Sequence, residues 1–189
     1  MDQSNVIAYR PLTRDDFQAD SPPPDASPYA KRIGALTCAR VLTTPDTSYR
    51  VRSEQQGSSV SYTGVFQVLA FQALMDRNCS WWNPQTSGLP ENYVLQHEQI
   101  HFALVELEAR RMNREAPSIV SEFVVSGSSE QDVKEQMDAK LGQVMQAAIE
   151  NLLEVNTEFD EATSAKYEPA VQQRWYDRVQ SDLAASGGS

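Results

Sequence analysis

Apolar residues recur with two different periods along this chain. Between residues 35 and 75 they mostly alternate with polar ones. Tyr49-Arg50-Val51-Arg52 and Val60-Ser61-Tyr62-Thr63-Gly64-Val65-Phe66-Gln67-Val68 keep a period of two, as a strand with one buried face requires. Residues 35–42 mix apolar and β-branched side chains and read as a further strand. Gly57-Ser58-Ser59 predicts a turn, and Gly64 a bulge. The apolar run over residues 65–75 fits strand or helix equally by periodicity.

After residue 90 the period lengthens to that of a helix. Val94, Leu95, Ile100, Leu104, Val105 and Leu107 predict a helix over residues 91–113. Pro90 stands at its entrance, where proline is tolerated, and Pro117 closes the segment. Val133, Met137, Leu141, Val144, Ala148, Leu152 and Val155 form the core stripe of a second helix over residues 130–155, capped by Ser128 or Ser129. Val171, Trp175, Val179 and Leu183 mark a third over residues 169–183. Residues 76–90 read as a loop through Asn78-Cys79-Ser80-Trp81-Trp82-Asn83-Pro84, whose tryptophans either floor a cleft or cover the core.

The ends differ in composition. Ser21-Pro22-Pro23-Pro24 excludes helix and central strand, so residues 1–34 are expected as an extended arm over the domain, with a short strand near residues 6–9. Ser186-Gly187-Gly188-Ser189 predicts a flexible tail. The organisation expected is thus an arm (1–34), a single domain (35–183) and a tail (184–189), with no internal repeat.

With 189 residues the chain is long enough to bury a core. Acidic residues outnumber basic ones 26 to 16, giving a net charge of −10. That field repels nucleic-acid phosphates, so no nucleic acid is expected as partner. No apolar run reaches 18 residues, so no membrane insertion is expected. Polar sequence follows Met1 directly, which fits a cytosolic protein or a secreted one whose signal peptide has been removed. Cys38 and Cys79 lie in no C-x-x-C pair, which disfavours a zinc site built on both; a disulfide and two buried thiols are the two readings.

The chain has only two histidines, and they fall four apart in His97-Glu98-Gln99-Ile100-His101, inside the predicted first helix. Residues four apart share a helical face, so both imidazoles can bind one tetrahedral zinc ion. Glu98 lies at the edge of that face and can act as general base on a zinc-bound water whose pKa falls toward ~7. The third ligand must come from elsewhere. Glu106 points to the opposite face of the helix, and Glu108 lies about 10 Å further along it at ~1.5 Å per residue. Glu150, Glu154, Glu158, Asp160 and Glu161 are the alternatives from later segments. Tyr167 and Tyr93 are candidate oxyanion donors, against a plain packing or surface role for each.

Several segments together resemble a known bacterial family, domain of unknown function 922, described as predicted secreted zinc-dependent peptidases. They are Leu12-Thr13-Arg14-Asp15-Asp16-Phe17, Ser80-Trp81-Trp82, Gln96-His97-Glu98-Gln99-Ile100-His101-Phe102 with Glu106 and Ala109-Arg110, and Phe159-Asp160-Glu161-Ala162-Thr163 with Gln172 and Trp175. The likeness spans residues 12–175, and the histidine helix is its specific part. The family pattern has tyrosine-aspartate in the tail, then threonine, then histidine-glycine. Here Phe159 replaces the tyrosine, and Ala165-Lys166 stand where histidine-glycine would fall. Since Asp160 is kept, the resemblance implies Asp160 as third ligand.

The expected fold is α+β and zincin-like: a small antiparallel sheet packed against the motif helix and a second long helix. The expected function is zinc-dependent hydrolysis of a peptide or protein substrate, in the periplasm or secreted, the family and the candidate Cys38–Cys79 bridge both pointing there. One alternative is a catalytically weak or inactive binding module recognising a protein or cell-envelope component. Another is an interaction protein that dimerises through the helix over residues 130–155.

Overall fold

The computed structural model describes residues 5–24, 26, 28, 33–83, 88–163 and 167–187. The chain is α+β. Among the described residues there are eight strands, three α-helices and a 3-10 turn at Arg14–Asp16. In place of one sheet there are three small ones, in the orders β1-β6-β3, β2-β7 and β4-β5-β8. The strands are β1 (Val6–Ala8), β2 (Ala35–Leu36), β3 (Ala39–Thr43), β4 (Ser48–Gln56), β5 (Ser59–Val68), β6 (Phe71–Asp76), β7 (Trp81–Trp82) and β8 (Val124–Gly127). The helices are α1 (Glu91–Glu122), α2 (Glu130–Thr163) and α3 (Pro169–Ser186).

Contacts gather the chain into two compact units. The first holds Met1–Val41, Ala73–Glu108 and Leu152–Ser189; the second holds Leu42–Gln72 and Ala109–Asn151. In the first, Ile100, Ala103 and Leu104 of α1 pack with Phe159 of α2 and with Trp175, Val179 and Leu183 of α3. The N-terminal residues belong to this unit and are more than an arm. Leu12 and Phe17 are buried, and β1 pairs antiparallel with β6. Gln99 anchors the segment to α1: its Oε1 accepts from Leu12 N–H at 2.6 Å, and its Nε2 donates to the Tyr9 hydroxyl at 3.3 Å. Asp16 is buried and held by Arg10 and by the Thr13 backbone N–H.

Two helices run past their predicted ends. Pro117 lies inside α1. It forfeits only its own bond to the Asn113 carbonyl, while Ala109, Met112 and Ala116 continue the buried face. Helix α2 continues from residue 155 to Thr163. Its polar residues there bond back to carbonyls one turn earlier: Asn156 Nδ2 to Leu152 O, Thr157 Oγ1 to Leu153 O and Thr163 Oγ1 to Phe159 O. Ser129 caps its start through the Asp132 N–H. The ambiguous run over residues 65–75 is two strands, β5 and β6. The loop over residues 76–90 contains β7, whose Trp81 is buried in the core while Trp82 is half-buried against Phe17; Pro84 lies outside the described residues.

In the second unit Gly64 is no bulge. It pairs in register with Val51, and the one irregularity of that ladder falls at Ser48/Tyr49. Its reason is close approach: a Cβ there would meet Val133 Cγ1 of α2 at 2.6 Å. Gly64→Ala is expected to lower stability by about 1–3 kcal/mol through overpacking. Urea unfolding measures it, and an unchanged midpoint would show that α2 gives way freely. Of the predicted tail, Gly188 and Ser189 lie outside the described residues, whereas Ser186 still belongs to α3.

Candidate metal centre

The motif residues fall in the first unit, where α1 and the last turns of α2 meet. His97 Nε2 and His101 Nε2 lie 3.0 Å apart, and Asp160 Oδ1 is 3.2 Å from each. The extension of α2 is what delivers Asp160, half-exposed at 49%, to this point. Four-coordinate zinc with bonds of ~2.0–2.1 Å holds neighbouring ligand atoms about 3.3 Å apart. The three atoms observed are therefore close to the spacing such an ion needs. Of the other candidates, Glu154, Glu158 and Glu161 are exposed and stand outside this cluster, Glu150 belongs to the second unit, and neither Glu106 nor Glu108 enters the cluster.

The far side of each ring is held by an amide. His97 Nδ1 is 3.3 Å from Gln172 Oε1, and His101 Nδ1 is 2.5 Å from Asn156 Oδ1. Phe159, fully buried, stacks on His97 at 4.5 Å between centroids and meets His101 edge-on at 5.0 Å. Phe159, which stands where the resembled family has tyrosine, thus packs against both imidazoles. The other departure, Ala165-Lys166, lies outside the described residues.

Glu98 is only 4% exposed and accepts a hydrogen bond from Thr37 Oγ1 at 2.7 Å. Thr37 follows β2 and is positioned by the register of β2 with β7. Ala35 faces Trp82 and Leu36 faces Trp81; the same register carried two residues on sets Cys38 opposite Cys79. These cysteines are joined, with Cα atoms 5.7 Å apart. Asn83 N–H donates to Gly34 O, which marks the pairs whose backbones face β7. Ala35 and Thr37 alternate with those, so their N–H and C=O groups turn to the opposite edge.

That edge borders a cavity of about 760 Å³, into which Glu98, both histidines and Asp160 also look. Among the described residues its other walls are uncharged, with Leu36, Leu89, Val94, Val105 and Leu152 among them. Tyr93 and Tyr167 line it and pack edge to face at 4.8 Å. The Tyr93 hydroxyl is already engaged: it donates to Thr163 O at 3.4 Å and accepts from Glu168 N–H at 3.3 Å. It therefore ties α1 to the connection between α2 and α3. Tyr167 is half-exposed.

In the metal-free protein the central cation is a proton. Burial draws the His101 pKa down, but the hydrogen bond to Asp160, the charges of Glu98 and Asp160 and the bond to Asn156 outweigh it and push it up to about 9. Burial raises Asp160, yet hydrogen bonds from His101 and His97, with their charge, hold it well below its usual range. A raised histidine stabilises fully below its ordinary value of 6.5 and ceases to do so as pH rises through about 9. The lowered carboxylate stabilises above its ordinary 3.8 and ceases to do so as pH falls through its native value. Metal-free protein is thus expected to lose stability as pH rises from 6.5 toward 9. Urea midpoints across that window measure it; a slope that persists unchanged in Asp160→Ala would assign it to other groups.

Sequence reading missed Asn156, Thr37 and the role of Gln99, because a lone amide or hydroxyl carries no spacing signal. Gln172 and Phe159 stood out only as part of a family pattern. Among the described residues no helix is long and apolar enough to cross a membrane. Comparison of the chain with protein-family models, curated proteins and solved structures finds no match in any of the three.

Proposed function

We propose that this chain is a zinc-dependent peptide-bond hydrolase with a zincin-like centre, of the kind found in the family it resembles. One observation carries the reading. Three electron-pair donors converge within 3.2 Å, while the protons on the far side of both imidazoles have acceptors of their own. Such crowding of acceptors is stable only around a cation.

His97, His101 and Asp160 would hold the zinc, which when bound supplies Lewis acidity toward water and a substrate carbonyl. The remaining steps belong to side chains of this protein. Glu98 keeps Oε2 occupied by Thr37 Oγ1 and takes the proton of the attacking water on Oε1. It then returns that proton to the departing amine. Tyr167, whose hydroxyl is not tied into the helix junction as that of Tyr93 is, is the candidate oxyanion donor.

An extended peptide would lie along the outer edge of β2 and pair with the backbone groups of Ala35 and Thr37. The apolar side chains of Leu36, Leu89, Val94, Val105 and Leu152 along the walls favour substrates with apolar side chains near the scissile bond. The Cys38–Cys79 bond supports an oxidising compartment, periplasmic or extracellular. A second reading, an inactive binding module on the same centre, is favoured by Ala165-Lys166 standing where the family has histidine-glycine.

Elemental mass spectrometry of purified protein tests the centre. About one zinc per chain is expected, with stoichiometric binding lost in His97→Ala. Absence of zinc after reconstitution would sink the hydrolase. Bound zinc with no cleavage of a peptide library would select the binding module.

A further inference from the structure

We propose that Asn156 and Gln172 are positioning residues of the centre: each accepts the Nδ1 proton of one histidine and thereby aims both Nε2 lone pairs at the metal position. The inference rests on the zinc reading above and adds to it two residues from different helices.

The orientation of each amide follows from its neighbours. Gln172 is fully buried, and its Nε2 donates to Tyr93 O at 2.8 Å and to Gln96 Oε1 at 2.9 Å. Turning the amide over would set its oxygen against two acceptors, so Oε1 must face His97 Nδ1. Gln96 is fixed in turn, because its Nε2 donates to Gln173 Oε1 at 2.9 Å. Gln173 donates to Asp177 Oδ1 at 2.8 Å. A carboxylate only accepts, so from Asp177 inward each amide dictates the next, and the sequence ends with a proton on His97 Nδ1.

Asn156 reaches the same result by a shorter route. Its Nδ2 donates to Leu152 O at 2.6 Å within α2. The inverted amide would place oxygen against that carbonyl, so Oδ1 faces His101 Nδ1. A neutral imidazole carries one N–H. With that N–H spent on the amide, Nε2 keeps its lone pair. Amide acceptors also add no charge, so Asp160 remains the one anionic ligand of the three. Tautomer selection is therefore assigned to α2 and α3, and ligation to α1 and Asp160.

Asn156 is the decisive site for a test, since its partial exposure makes misfolding less of a concern than at Gln172. Zinc affinity is read by chelator competition, with unfolding of the metal-free protein as the control. Asn156→Ala is expected to weaken zinc binding about 10–100-fold while the metal-free protein remains folded. Asn156→Asp, which keeps an acceptor for Nδ1 but loses the donor to Leu152 O, should bind zinc more tightly than Asn156→Ala. Histidine 15N NMR of the metal-free protein should show a proton on Nδ1 of both rings, and lose that preference at His101 in Asn156→Ala. Zinc affinity of Asn156→Ala within about threefold of the wild type would overturn the assignment. So would a ring of the wild type protonated on Nε2 and not on Nδ1. If the wild type takes up no zinc, the hydrolase reading fails by itself, and the NMR result still decides this one.

Discussion

Glu98→Gln is expected to leave zinc bound at the wild-type ratio and to lower peptide hydrolysis by about 10²–10⁴-fold. The substitution is nearly isosteric. Glutamine can still accept from Thr37 Oγ1, so the bond that places the side chain survives. What disappears is a basic oxygen able to take a proton from water. Because Glu98 is almost wholly buried, a free water cannot easily stand in for it. The measurement is kcat on a cleavable peptide, with zinc content on the same preparation. Hydrolysis retained at the wild-type rate would move the base to another residue. Loss of zinc together with activity would make Glu98 a structural member of the centre.

Asp160→Ala should weaken zinc binding by more than the ~10–100-fold that removing an outer hydrogen-bond partner costs, because it deletes the only anionic ligand. The side chain is half-exposed, so its truncation leaves no buried cavity and the fold should persist. In the metal-free variant His101 loses the hydrogen bond that chiefly raises it, and its pKa should fall from about 9 toward its ordinary range. Two independent readouts thus converge on one residue. Zinc affinity by competition and the His101 titration by NMR supply them. If affinity is unchanged while the titration moves, Asp160 is an ion-pair partner only, and the third ligand must be sought elsewhere.

Much of the architecture could be read from local patterning. Strict alternation over residues 60–68 is strand β5, and the stripe from Val133 to Val155 lies within α2. Both signals are local, because one element buries one face. Helix ends were less legible. Pro117, Asn156, Thr157 and Thr163 are residues that usually stop or weaken helices. The last three are retained in α2 because each spare donor finds a carbonyl one turn back. Gly64 shows the same limit: its chemistry suggested a bulge, and the packed side chains of Val133 and Met137 supply the actual reason.

The sequence alone determined the spacing of His97, Glu98 and His101, since a helical repeat of 3.6 residues places two of them on one face whatever surrounds them. It also turned the search for a third ligand from histidine to Asp, Glu or Tyr, because the chain has only two histidines. Only the tertiary structure decided that Asp160 meets both Nε2 atoms, that Asn156 and Gln172 hold the opposite nitrogens, and that Thr37 holds Glu98. Those contacts join residues 55 to 75 positions apart. No periodicity links such positions; Phe159 of α2 and Trp175, Val179 and Leu183 of α3 pack on the same face of α1, and the pairing of β2 with β7 places Thr37.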